Sequence, residues 1–386
     1  MSSCAVVLGD YVNGYAIVRE LYEEGIREIV VITYNKKLAF YSNKVFDAIE
    51  IDQCREDLLR ALNGLNKRFD KLILFPTDDW FVEQLVIIEN EIINFAFIPF
   101  NTSNAIESSN KVYQYQCCEK ADIPYPKTIS IRQIEDLLRV NDLTYPVIMK
   151  PVVRNDLSDN VFRSMVFKSE KDIDGFRQEL SKLLSLGLSF LVSEIVPGSS
   201  HGSIYAYSAY VDKNGSILNE WVGRKLSQYP DDYGVFSSAS NEAPEEIWEQ
   251  GRKLVKELNI YGFCEPEFKF DFRDGKYKLM EVNLRSMMWN EVGARSGVKL
   301  HYTQWCYANN MTIPSYTQNQ SDKIVLMYYK HELLNLMFLK GYFPIFKSIW
   351  KNKTIYWAGC YKNDFSPIWN NIKLTARTII KRLIRR

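Results

Sequence analysis

A chain of 386 residues holds two to three domains' worth of core. Its composition, 46% hydrophobic and 25% charged with a formal net charge of +1, is that of an ordinary globular protein and argues against bulk nucleic-acid binding. Seven cysteines without a C-x-x-C pair read as reduced thiols, and three histidines (His201, His301 and His331) argue against a zinc site or a histidine-based triad.

The start, MSSCAVVLGD, lacks the basic and apolar segments of a signal peptide. No run reaches the ~18 uncharged apolar residues of a transmembrane helix, so a cytoplasmic chain is expected. Up to about residue 100 strands and helices alternate. CAVVLGD, EIVVITY, KVFDAIEID, KLILFPTDD and FAFIPF read as strands, with helices such as YAIVRELYEEG and REDLLRALNGLNKRF between them. That rhythm predicts a parallel sheet covered on both faces. The first loop, GDYVNG, is not G-x-G-x-x-G, so a dinucleotide site has little support. Ligands of such sheets dock at the carboxyl ends of the strands, which puts Gly9, Asp10, Thr77 and Asp78 where a small substrate could bind. Ordinary loop chemistry is the competing reading.

From about Ser108 the texture changes to α+β. SSNKVYQYQCCEKADIPYPKT reads as a helix and a turn, YPVIMKPV and FLVSEIVPG as strands, and VDKNGSIL as a hairpin with Asn-Gly at its turn. EPEFKFDFRDGKYKLMEVNLR reads as a second hairpin turning near Asp274–Gly275, which sets Glu267 almost opposite Glu281 or Asn283. Glu281, Asn283 and Arg285 alternate, so they share one face. Two facing carboxylates need positive charge between them, and with an amide oxygen they make a hard-oxygen set for magnesium. Arg285 on that face could hold a phosphoryl group bidentately. The competing reading is an exposed polar face whose glutamates pair with Lys269, Lys276 or Lys278. Lys150 at the end of an apolar strand is a candidate phosphate ligand. The backbone around Glu194, where a strand runs out into Pro197–Gly198, could meet a purine edge. Arg224 and Lys225 are cations available to a polyphosphate.

Taken together, these segments resemble the ATP-grasp superfamily over roughly residues 1–310, most specifically in the fourteen-residue Glu267-to-Glu281 spacing followed by EVNLR. Within it the chain looks most like the D-aspartate-ligase and carbamoyl-phosphate-synthetase-like branch. The resemblance implies a Rossmann-like pre-ATP-grasp domain (1–107), a small α+β lobe (108–193), a large α+β lobe with the metal site (194–314) and a mostly helical C-terminal extension (315–386). It implies that Lys111 and Lys150 bind ATP phosphates and that Glu194, Ile195 and Val196 meet adenine. Arg224 and Lys225 would lie near the triphosphate or the carboxylate. Glu267, Glu281 and Asn283 would bind magnesium or manganese, and Arg285 would stabilise the transferring phosphoryl group. Two departures stand out. The phosphate-covering segment PVVRNDLSDNVFRSMVF has no glycine, leaving Arg154, Asn155 and Ser158 to cover phosphates. The frequent Asn-Pro-Arg is here Asn-Leu-Arg.

Such ligases activate a carboxylate as an acyl phosphate and pass it to an amine, releasing ADP. The amine proton could go to Asp271, to substrate phosphate or to water. Acceptable substrates include amino acids, a peptidoglycan precursor, or a uronic acid of a surface polysaccharide. An ATP-binding regulatory or scaffold protein without turnover and a Rossmann oxidoreductase are the alternatives. The tail SPIWNNIKLTARTIIKRLIRR sets Trp369, Ile372, Ala376, Ile379 and Leu383 on one side of a helix and Lys373, Arg377, Lys381 and Arg385 on another. It reads either as a basic helix lying on anionic lipid at the inner face of a membrane or as a helix docked on its own protein.

Overall fold

The computed structural model describes residues 2–152, 161–162, 164–198, 201–230, 234–351 and 353–384, less the side chains of 382 and 383. Arg154, Asn155, Ser158, Arg385 and the side chain of Leu383 lie outside the described residues.

The N-terminal sheet is parallel: β1 (Ser3–Leu8), β2 (Ile29–Thr33), β3 (Asp47–Glu50), β4 (Lys71–Pro76) and β5 (Ala96–Phe97), ordered β3-β2-β1-β4-β5. The five expected strands are all present. β2 is buried throughout and β1 and β4 at all but their first residue, because helices cover both faces. Along β1, Cys4, Val6 and Leu8 pack with Leu58, Leu62 and Phe81, whereas Ala5 and Val7 pack with Tyr15, Ile17 and Val18. Strand order reverses about β1, so the loops after β1 and β4 flank the crevice where ligands of open sheets bind. Gly9 permits this closeness: its φ is +103° and a Cβ there would stand 2.1 Å from the Thr77 Oγ1.

The second sheet is small and antiparallel: β6 (Thr128–Ile131), β7 (Val147–Pro151), β8 (Met165–Phe167) and β9 (Phe190–Glu194), ordered β6-β9-β7-β8. Period-two alternation divides β7. Val147 and Met149 join the core under the helix Glu170–Ser185, while Ile148 and Lys150 face a cleft.

The third sheet has seven strands: β10 (Ile204–Val211), β11 (Ile217–Tyr229), β12 (Val235–Ser240), β13 (Gly262–Asp271), β14 (Lys276–Asn283), β15 (Ile324–Met327) and β16 (Thr354–Trp357), ordered β14-β13-β10-β11-β12-β15-β16. Both expected hairpins form. At the first, the Asp212 carboxylate accepts the N–H groups of Asn214 and Ser216. The stretch after 315 is mostly helical, with the helices Tyr329–Phe338, Tyr342–Ile349 and Ser366–Ile384, and it also adds the buried β15 and the edge strand β16 to this sheet. The helix Lys111–Ala121, grouped by sequence with the small lobe, packs on β14 and on the helix Glu245–Glu257.

Candidate active site

A cleft of about 940 Å³ opens where the three sheets meet. Its walls are the loops after β1 and β4, the outward face of β7 and β9, and one face of the large sheet.

The floor is the β13–β14 ladder. Glu267 pairs directly with Glu281, and Glu265 with Asn283, so all four side chains share one face. Lys225, projecting from the same face of β11, places its Nζ 3.4–3.5 Å from the two carboxylate oxygens of Glu267. Lys111, the first residue of its helix, donates from Nζ to the Met280 carbonyl at 2.5 Å, beside Glu281. Lys150 lines the opposite wall. Burial pushes the Glu281 carboxyl up, but Lys111, Lys150, Lys225 and Arg285 outweigh burial and hold it below the ordinary glutamate value. Glu267 goes the other way: burial raises it, the Glu281 charge adds to this, and Lys225 opposes. The solvated-face reading is thereby set aside. Lys278 pairs with Asp271 and Asp274, and Lys269 donates to the carbonyls of Val196 and Gly198.

These residues fit a divalent cation. Two carboxylates and an amide share this face, the donor types that a hard divalent cation takes, although Asn283 itself stands beside the cleft lining and not in it. Glu265, which sequence reasoning passed over, lies fully buried behind them; burial pushes its carboxyl up to about 8 while the Ser208 hydroxyl donates to it.

Arg285 also lines the cleft, but its guanidinium is engaged. Nε and Nη2 donate to the two oxygens of Asp79, at 2.6 and 3.2 Å, in a fork-to-fork pair. Asp79 opens the helix Asp79–Ile87 and Asp78 caps it, accepting the Phe81 N–H and the Tyr34 hydroxyl. The segment after Arg285 is pinned as well. Asn13 donates to the Ser286 and Thr77 carbonyls, and the Ser286 hydroxyl meets His301, whose other ring nitrogen bonds Glu20.

Where β9 runs out, Glu194, Ile195 and Val196 line the cleft. The Glu194 carboxylate is held by the Thr144 N–H and by Arg273. Arg224 is the residue that does not join the others. Adjacent residues of a strand point to opposite faces, so only Lys225 reaches the cleft; Arg224 donates to the Gly202 carbonyl and lies over Tyr205. Asp271 is also misplaced for a base. It is buried outside the cleft, and its bonds to Arg273 and Lys278 hold it well below the usual carboxylate range.

Two α+β layers close over the carboxylate ladder behind a parallel sheet, and solved structures share this fold. N5-carboxyaminoimidazole ribonucleotide synthetase in its ADP complex matches with a TM-score of 0.61 at 15% identity, over 87% of this chain and 84% of that one. Biotin carboxylase from Campylobacter jejuni gives 0.62 at 15% identity over 81% and 73%, and L-amino acid ligase from Bacillus licheniformis gives 0.55 at 12% over 79% and 73%. The chain shares the fold of these enzymes. No family model matches it. By sequence it is similar to D-aspartate ligase of Enterococcus faecium (strain Aus0004), with 25% identity over 287 residues, 69% of this chain and 67% of that one.

Proposed function

We propose that this chain activates a carboxylate by transferring the terminal phosphoryl group of ATP to it, then couples the acyl phosphate to an amine. The observation that carries the reading is the Glu267–Glu281 pair, the first buried and the second half-buried, within reach of Lys111, Lys150, Lys225 and Arg285. A surface of that charge suits a polyphosphate bridged by cations. Glu267, Glu281 and Asn283 would hold magnesium or manganese, which supplies charge neutralisation at the nucleotide's terminal phosphates.

The chain's own residues then divide the work. The backbone of Glu194–Val196 faces adenine, and Lys111 and Lys150 take up phosphate charge. The carboxylate oxygen attacks the γ-phosphorus while the bond to ADP breaks, with Arg285 and Lys150 stabilising the transferring group. The amine attacks the acyl carbon, a carbon–nitrogen bond forms, and inorganic phosphate leaves. The departing phosphate or water takes the amine proton, since Asp271 lies elsewhere. The crevice after β1 and β4, with Asp10, Lys37 and Asp78 on its walls, is the proposed seat of the organic substrates.

The likeness to D-aspartate ligase supports an amino acid as the activated carboxylate. We place the amine on a peptidoglycan precursor; in the second form of the reading a surface polysaccharide's uronic acid is the activated carboxylate and an amino acid supplies the amine. A nucleotide-binding scaffold without turnover would have no use for a carboxylate pair aimed at phosphate. The test is ADP release from ATP with amino acids and sugar acids offered in turn, and hydroxylamine as a surrogate amine. A hydroxamate formed in step with ADP is expected from the true carboxylate. Hydroxylamine-independent ATP hydrolysis with every acid would contradict the reading.

A further inference from the structure

The helix Ser366–Ile384 carries an apolar stripe on its outward side. It rests beside the turn Ala39–Tyr41 and the helix Tyr329–Phe338. The residues it buries include Asn371, whose Oδ1 accepts the Tyr328 hydroxyl at 2.9 Å, and Thr375, which donates to the Asn371 carbonyl. Phe365, Trp369, Ile372, Ala376 and Ile380 follow one another at three- and four-residue intervals and all stand exposed, Phe365 and Trp369 by 61% and 62%. Lys373, Arg377 and Lys381 run parallel to this stripe at four-residue intervals and are exposed too. No acidic residue occurs after Asp364 in the sequence. The helix docks through Pro367, Asn371 and Thr375, with Ile368, Leu374 and Ile379 half-buried, and still presents a second apolar stripe to its surroundings; of the stripe expected from sequence, Ile379 is turned partly inward.

We propose that this face docks on a bilayer surface carrying anionic headgroups, with the Trp369 stripe entering the headgroup–acyl boundary and Lys373, Arg377 and Lys381 over the phosphates. Trp and Ile beside Lys and Arg is the composition of an interfacial helix. A second copy of the chain fits less well. Two such faces pressed together would confront two wholly basic stripes with no acid to relieve them.

The experiment is flotation of the full chain with vesicles of phosphatidylcholine alone or with phosphatidylglycerol added. Flotation is expected with the anionic vesicles and is expected to weaken in high salt. Trp369→Ser/Ile372→Ser and Lys373→Glu/Arg377→Glu should each lower the bound fraction about tenfold. Thermal melts with and without ATP verify that both variants fold, since none of these side chains is buried. Absence of flotation, or undiminished flotation of both variants, would overturn the proposal. So would a dimer in sedimentation that Trp369→Ser/Ile372→Ser dissolves, because the stripe would then belong to self-association.

Discussion

Glu267 and Glu281 sit across one rung of the ladder, yet their surroundings push them in opposite directions, and this separates their roles in variants. Both should be needed for turnover, so Glu267→Gln and Glu281→Gln should each lower ADP formation by at least about a hundredfold. Their stabilities should differ. Glu267 is destabilised as an anion by burial and by its neighbour, so Glu267→Gln should melt at the same temperature as the parent or higher. Glu281 is held ionised by four cations, so Glu281→Gln should melt somewhat lower. Loss of fold in Glu267→Gln would mean that the pair is structural. Arg285 makes a separate case, since its fork is oriented by Asp79. Arg285→Lys keeps the charge but loses the fork, and kcat should fall about a hundredfold with ATP affinity nearly retained. A variant with unchanged kcat would remove Arg285 from the transferring group. Alternation along an extended chain was enough to align Glu281, Asn283 and Arg285 from sequence. The same rule explains why Arg224 does not join Lys225 in the cleft, since adjacent positions of a strand point to opposite faces. Asp79 was not legible, because its partner lies 206 positions away and a carboxylate after a strand has many commoner uses.

At the scale of elements, buried strands with apolar runs and turns with Asn-Gly or Asp-Gly were readable in place, and so the first sheet and both hairpins emerged from sequence. β15 was not. Its four residues are all buried, and a short apolar run has no period that distinguishes strand from helix. Its pairing with β12 came only with tertiary structure. The helix that follows β15, Tyr329–Phe338, carries a consequence for pH. His331 is buried in it, with its Nδ1–H directed at the Phe236 carbonyl at 2.7 Å. Burial pushes its pKa down to about 4 from 6.5, Lys330 adds to this, and the bond to Phe236 opposes. A depressed folded pKa means that the unfolded chain binds the proton first. The stability is therefore complete above pH 6.5 and is lost as pH falls toward 4, by about 3 kcal/mol if the full difference is expressed. Chemical denaturation between pH 7 and 4 should show that decline, and His331→Gln should flatten it. Parallel curves for the two proteins would contradict the assignment.

The whole molecule places its chemistry where three separately built sheets approach one another, and each wall brings something the others lack. The parallel sheet contributes its strand-end loops, the small sheet Lys150 and the Glu194–Val196 backbone, and the large sheet the carboxylate ladder. Ligand should therefore bind the folded assembly and not its parts. ATP with magnesium at a hundred times its dissociation constant should stabilise the parent by about 3 kcal/mol, read as a rise in melting temperature, and should do markedly less for Glu281→Gln. The central claim is phosphoryl transfer to a carboxylate, and oxygen bookkeeping addresses it most directly. A carboxylate substrate labelled with heavy oxygen is turned over with ATP and an amine, and the released phosphate and nucleotides are examined by mass spectrometry. One labelled oxygen in inorganic phosphate, with ADP as co-product, is the predicted result; label in AMP with pyrophosphate released, or phosphate free of label, would contradict the account.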